Sequence, residues 1–459
     1  MRAVVLGCLC LLTILNVVVG QSGSAIIEWD EARHGVSAAE MVASGDWIVP
    51  TYAGQPDLWN LKPPLGIWLI AGGMSLGVEP VWALRLPAML AALGCVLLLF
   101  QLGSRMHGVR VGAAAAAALA CCFPFICIHG ARTGDFDAQL SLVVLGAVLL
   151  ALGKPSIGRS IGIGALLACG FLLKSFAIGP WAVGVVLVYA RQAPALGSWT
   201  ALILAASLPC LGWAALRMQA DGIVFLRTMI DVDLLKRGAT QLETSTWSAF
   251  HYLAFLGDRL APWSAVPILA FGCVIYARFG RRRAAALRNM ERPDWWLYGA
   301  VILPALLLFS LARTQHHWYI YPAVPFLILF AVEMLHKFAL TSRFAALSAI
   351  AITLAGVAFN EGRMIKRSML GGRAPSEQVW LRTMDLGGAT SLGHVDDLRQ
   401  SERFVLQAER RVQLARYAYE AEFRQNAGPG ALLLLRSGVF GHPYRLERVA
   451  VADPAAVPP

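Results

Sequence analysis

AQLSLVVLGAVLLALGKPSIGRSIGIGALLACGFLLKSFAIGPWAVGVVLVYA, residues 138–190, decides the architecture. Three apolar runs, 138–152, 157–173 and 176–190, are broken only by Gly-Lys-Pro and by Lys174. Their apolar residues are continuous rather than spaced every third or fourth position, which argues against surface helices of a soluble domain. A membrane span needs about 20 apolar residues, with roughly 17 as a floor. Runs of the same kind recur at 3–19, 86–100, 111–128, 199–216, 262–277, 295–312, 320–335 and 344–359. The sequence therefore predicts an all-α polytopic membrane protein of about eleven spans. Composition agrees: 57% of residues are hydrophobic and 15% charged, against about 45–50% and 25% in soluble chains.

Orientation follows from the basic residues. With the N-terminus inside, the short inner loops collect Arg2, Arg105, Arg110, Lys154, Arg159, Arg191, Lys337, Arg343 and six Arg between 278 and 292. The outer loops hold Glu28, Asp30, Glu31, Asp46, Asp135, Asp137, Asp231 and Asp233. The formal charge of +11 is thus read as a topology signal beside anionic lipid, and no nucleic-acid partner is expected. All nine cysteines lie in or beside apolar runs, so neither a disulfide framework nor a zinc cluster is expected. The first segment fits both a cleaved leader and a retained helix; the retained helix is the expectation.

Between the first two long runs lies an outer loop, 21–86, whose segment 65–77 is apolar but too short to span and reads as an interfacial helix. Two more outer loops follow at 129–137 and 217–261, the latter with an amphipathic segment at 222–235. The spans form one domain, 1–359. From 360 to 459 the chain changes character, with fourteen Lys/Arg and eleven Asp/Glu. A small extracytoplasmic α/β region is expected there, with a helix at 403–424, a strand at 431–436 and a disordered end, VADPAAVPP. Neither a nucleotide-binding glycine loop nor a dinucleotide fingerprint is found.

The chemistry-bearing residues gather in the outer loops. EWDEARHG places Asp30 and Glu31 just beyond a span, with Arg33, Lys62 and Arg85 in the same loop. A carboxylate at a membrane boundary is a candidate general base. Cations at that depth suit a phosphate whose lipid tail lies in the bilayer. Solvated acids with snorkelling cations are the plainer alternative, and the residues alone do not decide. Asp135 and Asp137 form a second acid cluster beside Arg132. Lys174 ends an apolar run, where an ionisable group marks function by default. HHWYIYPAVP, 316–325, puts Tyr319 and Tyr321 at an outer edge.

Several of these motifs occur in a fixed order: DEARHGVSAAEMVASGDWIVP, LKPPLGIWL, RLP, RTGDFDAQL, FLLKSF, APWS and WYIYPAVP, covering 28–325. Together they resemble the GT-C glycosyltransferases, above all the branch of aminoarabinose transferase and bacterial relatives of protein O-mannosyltransferases. The resemblance implies an inverting transferase that moves a sugar from a polyprenyl (undecaprenyl) phosphate carrier. The acceptor would be lipid A, another glycolipid, a glycan or a protein, on the periplasmic face of a bacterial inner membrane. It implies Asp30 as the main catalytic carboxylate with Glu31 beside it, Asp137 as the second-loop acid, and Lys62, Arg85, Lys174, Tyr319 and Arg33 around the carrier phosphate. No cofactor is required; a divalent cation is left open, with no metal ligand expected. His34 stands where relatives often carry Tyr, and Leu61 where the aminoarabinose branch carries a Glu that can bind metal. The competing reading is a transporter or flippase for lipid-linked sugars, which would use the same cations without chemistry.

Overall fold

In the computed structural model, ten of the eleven apolar runs are helices. The structure describes residues 2–21, 23–242, 247–260, 263, 295–340, 343–367, 373–439 and 442–449. The run 262–277, the arginine cluster 278–292, most of the APWS motif and the C-terminal VADPAAVPP lie outside the described residues. Among the described residues, five helical stretches are long and apolar enough to cross a membrane: Pro80–His107, Ile157–Ala190, Leu196–Asp221, His317–Ala339 and Arg343–Lys366. Helices suit that setting because they satisfy their own backbone polar groups. The chain is mostly helical and membrane-integral, and it divides into two compact units.

The first unit comprises residues 1–21, 58–66 and 85–369. The helix Asp137–Ala151 packs against Ile157–Lys174, Gly179–Ala190 and the 3-10 turn His317–Ala323. Ile157–Lys174 is itself lined by Leu196–Asp221, and Gly179–Ala190 by Trp295–Leu311. These helices approach closely through small residues, as membrane helices do. A Cβ on Gly164 would lie 2.3 Å from the Leu202 carbonyl, and one on Gly184 2.7 Å from that of Ala300. Other faces stay bare: Ile203, Leu208 and Leu211 are 58%, 61% and 63% exposed. Apolar side chains left open along a whole helix face are what a lipid-facing surface requires.

One buried charge of this unit is closely partnered. Glu333 is fully buried and accepts from Tyr298 Oη at 2.8 Å, with Lys337 Nζ at 2.6 Å and His107 Nε2 at 3.3 Å. Lys337, read from sequence as a topology charge, is therefore also a partner for a buried carboxylate. Between Ile157–Lys174 and Gly179–Ala190 the chain breaks at Ser175, whose φ of +52° ends the first helix.

The second unit comprises 22–57, 67–84 and 370–459. Its sheet runs Gln413–Arg416, Ser391–His394, Leu432–Val439, His442–Arg448; the first two pairings are parallel and the last antiparallel. Along the third strand, Leu432 and Leu434 pack with Leu381, Leu392, Val405 and Tyr444, while Leu433 and Leu435 pack with Phe423. Both faces are thus covered, following the two-residue period of a strand.

The helix expected over 403–424 does not form as one element. It is divided into Gln400–Phe404, a π-helical turn, the strand Gln413–Arg416 and the helix Glu420–Asn426. Arg411 at φ +55° makes the break, and pairing of 413–416 with 391–394 holds the extended stretch. Local helix propensity loses there to sheet pairing. The interfacial segment after Lys62 is a helix, Leu65–Ser75. The segment 222–235 is Val224–Met229 followed by a π-helical turn, Ile230–Lys236.

The first outer loop is stitched to the C-terminal region within this unit. Gln378 accepts from the Ile26 N–H at 3.0 Å and donates to the Ile26 carbonyl at 2.9 Å. Glu28 accepts from the backbone N–H and the hydroxyl of Ser401. Gly35 is indispensable to the contact, since a Cβ there would sit 2.4 Å from the Phe404 ring.

Candidate active site

In the first unit, the sequence GDFDAQL turns sharply and starts a helix at Asp137. That residue is 1% exposed and Lys174, at the end of the neighbouring helix, is 7% exposed. Lys174 Nζ donates to Asp137 Oδ1 at 2.5 Å, so two candidates 37 residues apart form one buried ion pair. Lys174 also faces the Tyr319 ring, its Nζ 5.8 Å from the centroid. The Tyr319 hydroxyl accepts from Arg237 Nη1 at 3.2 Å, and Arg237 in turn pairs with Asp233 at 3.0 Å. Arg237 had no role in the sequence reading. Its spacing from Asp233 is a local helical pattern, but the contact with Tyr319 spans 82 residues and no local pattern announces it.

The Lys-Pro-Pro-Leu-Gly segment adjoins this group through Gly66. A Cβ on Gly66 would land 2.3 Å from the ring of Phe136, the buried residue that immediately precedes Asp137. The glycine lets the loop bearing Lys62 press against the turn bearing Asp137. Lys62 Nζ donates to Asn60 Oδ1 at 3.2 Å and is half-buried. Arg85 is 2% exposed and donates to Gln21 Oε1 at 2.9 Å. Gln21 reaches the Arg132 carbonyl at 3.3 Å. Arg132 donates to the carbonyls of Asn16 and Val19 at 2.8 and 2.7 Å, closing the C-terminal end of the helix Arg2–Val18. A cation there suits the helix dipole. Burial lowers the Arg132 pKa from its ordinary value.

His129 has no role in the sequence analysis, although it opens the outer loop 129–137. Its backbone takes φ +48°, and its Nδ1 lies 3.2 Å from Asp135 Oδ1. Its ring stacks on Trp318 at 3.7 Å, and His316 stacks on the same tryptophan at 4.6 Å. Tyr321, fully buried, donates to the Ile128 carbonyl at 2.7 Å and fastens the turn from below. The imidazole and carboxylate of His129 and Asp135 are donors of the kind a divalent cation takes.

In the second unit, Asp30 opens the helix Asp30–Ser44. The preceding Trp29 adopts φ +72° and is 64% exposed. A non-glycine residue in that region stores strain, of order 1–3 kcal/mol, and marks a position the surroundings enforce. The helix N-terminus favours a negative charge at Asp30. Glu31 is 1% exposed and accepts from the Ile27 N–H at 2.8 Å. Arg33 forms a two-pronged pair with Asp57, both contacts at 2.7 Å, and its guanidinium lies 3.9 Å over the Tyr52 ring. Burial raises the Tyr52 phenol above its ordinary pKa. Trp68 Nε1 donates to the Trp47 carbonyl at 2.6 Å, holding the Gly-Asp-Trp motif.

Residues 61–213 match the family described as dolichyl-phosphate-mannose-protein mannosyltransferase. Solved structures of the same fold include ArnT from Cupriavidus metallidurans bound to undecaprenyl phosphate, with a TM-score of 0.67 and 18% identity over 94% of this chain and 92% of that one. The archaeal oligosaccharyltransferase AglB from Archaeoglobus fulgidus follows at 0.52 and 11% identity, covering 89% and 63%. The chain therefore has the GT-C fold, as the order of its loop motifs implied.

Among relatives of known name it is similar to undecaprenyl phosphate-alpha-4-amino-4-deoxy-L-arabinose arabinosyl transferases. That of Pseudomonas aeruginosa (strain LESB58) is 29% identical over 307 residues, 64% of this chain and 53% of the relative. One from Pseudomonas fluorescens is 28% identical over 343 residues, 72% and 56%. The chain spans about half the length of the curated relatives it matches.

Proposed function

We propose that the protein is an inverting glycosyltransferase that takes a sugar from a polyprenyl phosphate carrier and delivers it to an envelope glycolipid of the lipid A kind. The observation that carries this reading is the buried Asp137–Lys174 pair, with Tyr319 and Arg237 beside it, at the ends of apolar helices. Lys62 and Arg85 supply further cations in the same unit. The fold likeness to ArnT bound to undecaprenyl phosphate supports the same donor chemistry.

In this reading Asp30 takes the proton from the acceptor hydroxyl as that oxygen attacks the anomeric carbon. The carrier phosphate leaves from the opposite face. Lys62, Arg85 and Lys174 neutralise the charge that develops on it, so its departure needs no proton. Glu31 and Arg33 hold the segment around Asp30 through Ile27 and Asp57 rather than meeting the substrate. Eleven spans put this chemistry and the C-terminal α/β region on the periplasmic side, in keeping with the bias of Lys and Arg to the inner loops.

The test is Asp30→Asn in membranes supplied with the lipid-linked donor. Loss of a general base predicts a fall in turnover of about 10²–10⁴ with the protein intact. Near-normal turnover would overturn the assignment. Movement of the lipid-linked sugar across vesicles without transfer, unchanged by the substitution, would favour a transporter instead.

A further inference from the structure

At the far end of the helix Asp137–Ala151, about 22 Å of helical rise from the acid–lysine pair, lies a cavity of about 540 Å³. Its apolar wall is made by Leu102, Met106, Leu149 and Leu152, and its mouth by Arg105, Lys154 and Arg159. Arg105 is in the last turn of Pro80–His107, and Lys154 and Arg159 flank the link between two apolar helices. All three cations are exposed, and none has an acidic partner among the described residues. The Arg159 guanidinium lies across Gly153, where any Cβ would fall 1.0 Å from its Nη1. Gly153 thus leaves the space that brings this fork over the cavity. Two other cations of the unit contrast with them: Lys337 is matched by Glu333 and Arg217 by Asp221.

We propose that this cavity is a binding site for an anionic phospholipid of the inner leaflet. The phosphodiester would sit among Arg105, Lys154 and Arg159, and an acyl chain along Leu102, Met106, Leu149 and Leu152. Charge argues for the headgroup, since three uncompensated cations at one mouth repel each other until an anion joins them. A guanidinium fork suits a phosphate. The wall argues for a lipid rather than a soluble anion, because a free phosphate gains nothing from four aliphatic side chains. Basic pockets between helices on the cytoplasmic side are where such headgroups bind. The inference shares the orientation proposed above but not the sugar transfer.

Native mass spectrometry of the purified full chain, titrated with phosphatidylglycerol or phosphatidylcholine, tests it. Phosphatidylglycerol should bind the more tightly. Arg105→Gln, Lys154→Gln and Arg159→Gln together should weaken it by about tenfold or more while leaving phosphatidylcholine unchanged. Lys154→Gln alone, an exposed position, should weaken it about fivefold without disturbing the fold. Equal binding of the two lipids, or unchanged phosphatidylglycerol binding in both variants, would overturn the proposal. So would displacement of the lipid by millimolar inorganic phosphate, which would indicate a soluble anion. Labelling of Lys154→Cys by an impermeant thiol reagent in sealed vesicles should occur from the cytoplasmic side; labelling from the periplasmic side would overturn the inner-leaflet assignment. Cation-dependent lipid binding in a protein that transfers no sugar would sink the proposed activity and leave this site standing.

Discussion

Replacing Lys174 by Met removes one half of the buried pair and leaves Asp137, 1% exposed, without its nearest cation. At 2.5 Å the pair's attraction is about 7 kcal/mol with an effective dielectric near 20. Much of that only offsets the desolvation of two charges. The net loss on removing one partner of such a pair is about 3–5 kcal/mol. Asp137→Asn should destabilise less, because the amide still accepts from Lys174. The double variant should be more stable than the sum of the single losses predicts, with a coupling of roughly 2–3 kcal/mol. Unfolding in mixed micelles of rising SDS content, followed by tryptophan fluorescence, measures all four proteins. Strict additivity would refute the claim that the two charges sustain each other. Donor affinity separates function from stability: Lys174→Met should weaken undecaprenyl phosphate binding, whereas Asp137→Asn, which frees the ammonium, should tighten it. A parallel loss in both variants would reduce the pair to a structural clamp.

Three other outcomes are expected. Gly66→Ala drives a methyl into the Phe136 ring and should destabilise by about 1–3 kcal/mol; Phe136→Leu should restore part of the loss in a thermal melt, and an unaltered melt for Gly66→Ala would contradict the close contact. Arg33→Lys keeps the charge but loses the fork on Asp57 and the stacking on Tyr52, so it should lower stability by about 1–2 kcal/mol; a neutral result would mean the fork contributes nothing. Burial lowers the pKa of His394, so the folded chain resists a proton that the unfolded chain accepts below about pH 6.5. Stability is then complete above that value and falls as pH drops towards the lowered pKa; amide protection in the strand Ser391–His394, taken relative to the intrinsic exchange rate at each pH, should fall between pH 7 and 5, and His394→Asn should remove that dependence.

What the sequence disclosed, and what it withheld, follows from the range of the interactions. Apolar runs are local, so 138–152 or 199–216 can be read without knowing any neighbour, and both are helices. Asp137 and Lys174 were readable as candidates, yet their pairing is a contact across 37 residues. Arg33 was readable as a candidate too, but nothing near it in sequence shows that Asp57, 24 residues on, takes its fork. Arg237 and His129 escaped notice because their partners, Tyr319 and Trp318, come from a segment far along the chain. The broken helix after residue 400 failed for a related reason. A four-residue strand is fixed by its neighbours in the sheet, while the sequence there favours a helix.

The stitching of Ile26 to Gln378 has a consequence in time as well as in space. The two residues are 352 positions apart, which at about 5–20 residues per second is roughly 20–70 s of synthesis. The first outer loop to leave the ribosome thus waits for a partner made much later. Glu28, two residues before Asp30, meets Ser401 later still. A nascent chain that has already made the spans still lacks the partners of Ile26 and Glu28, so the first outer loop waits for Gln378 and Ser401 before it is held.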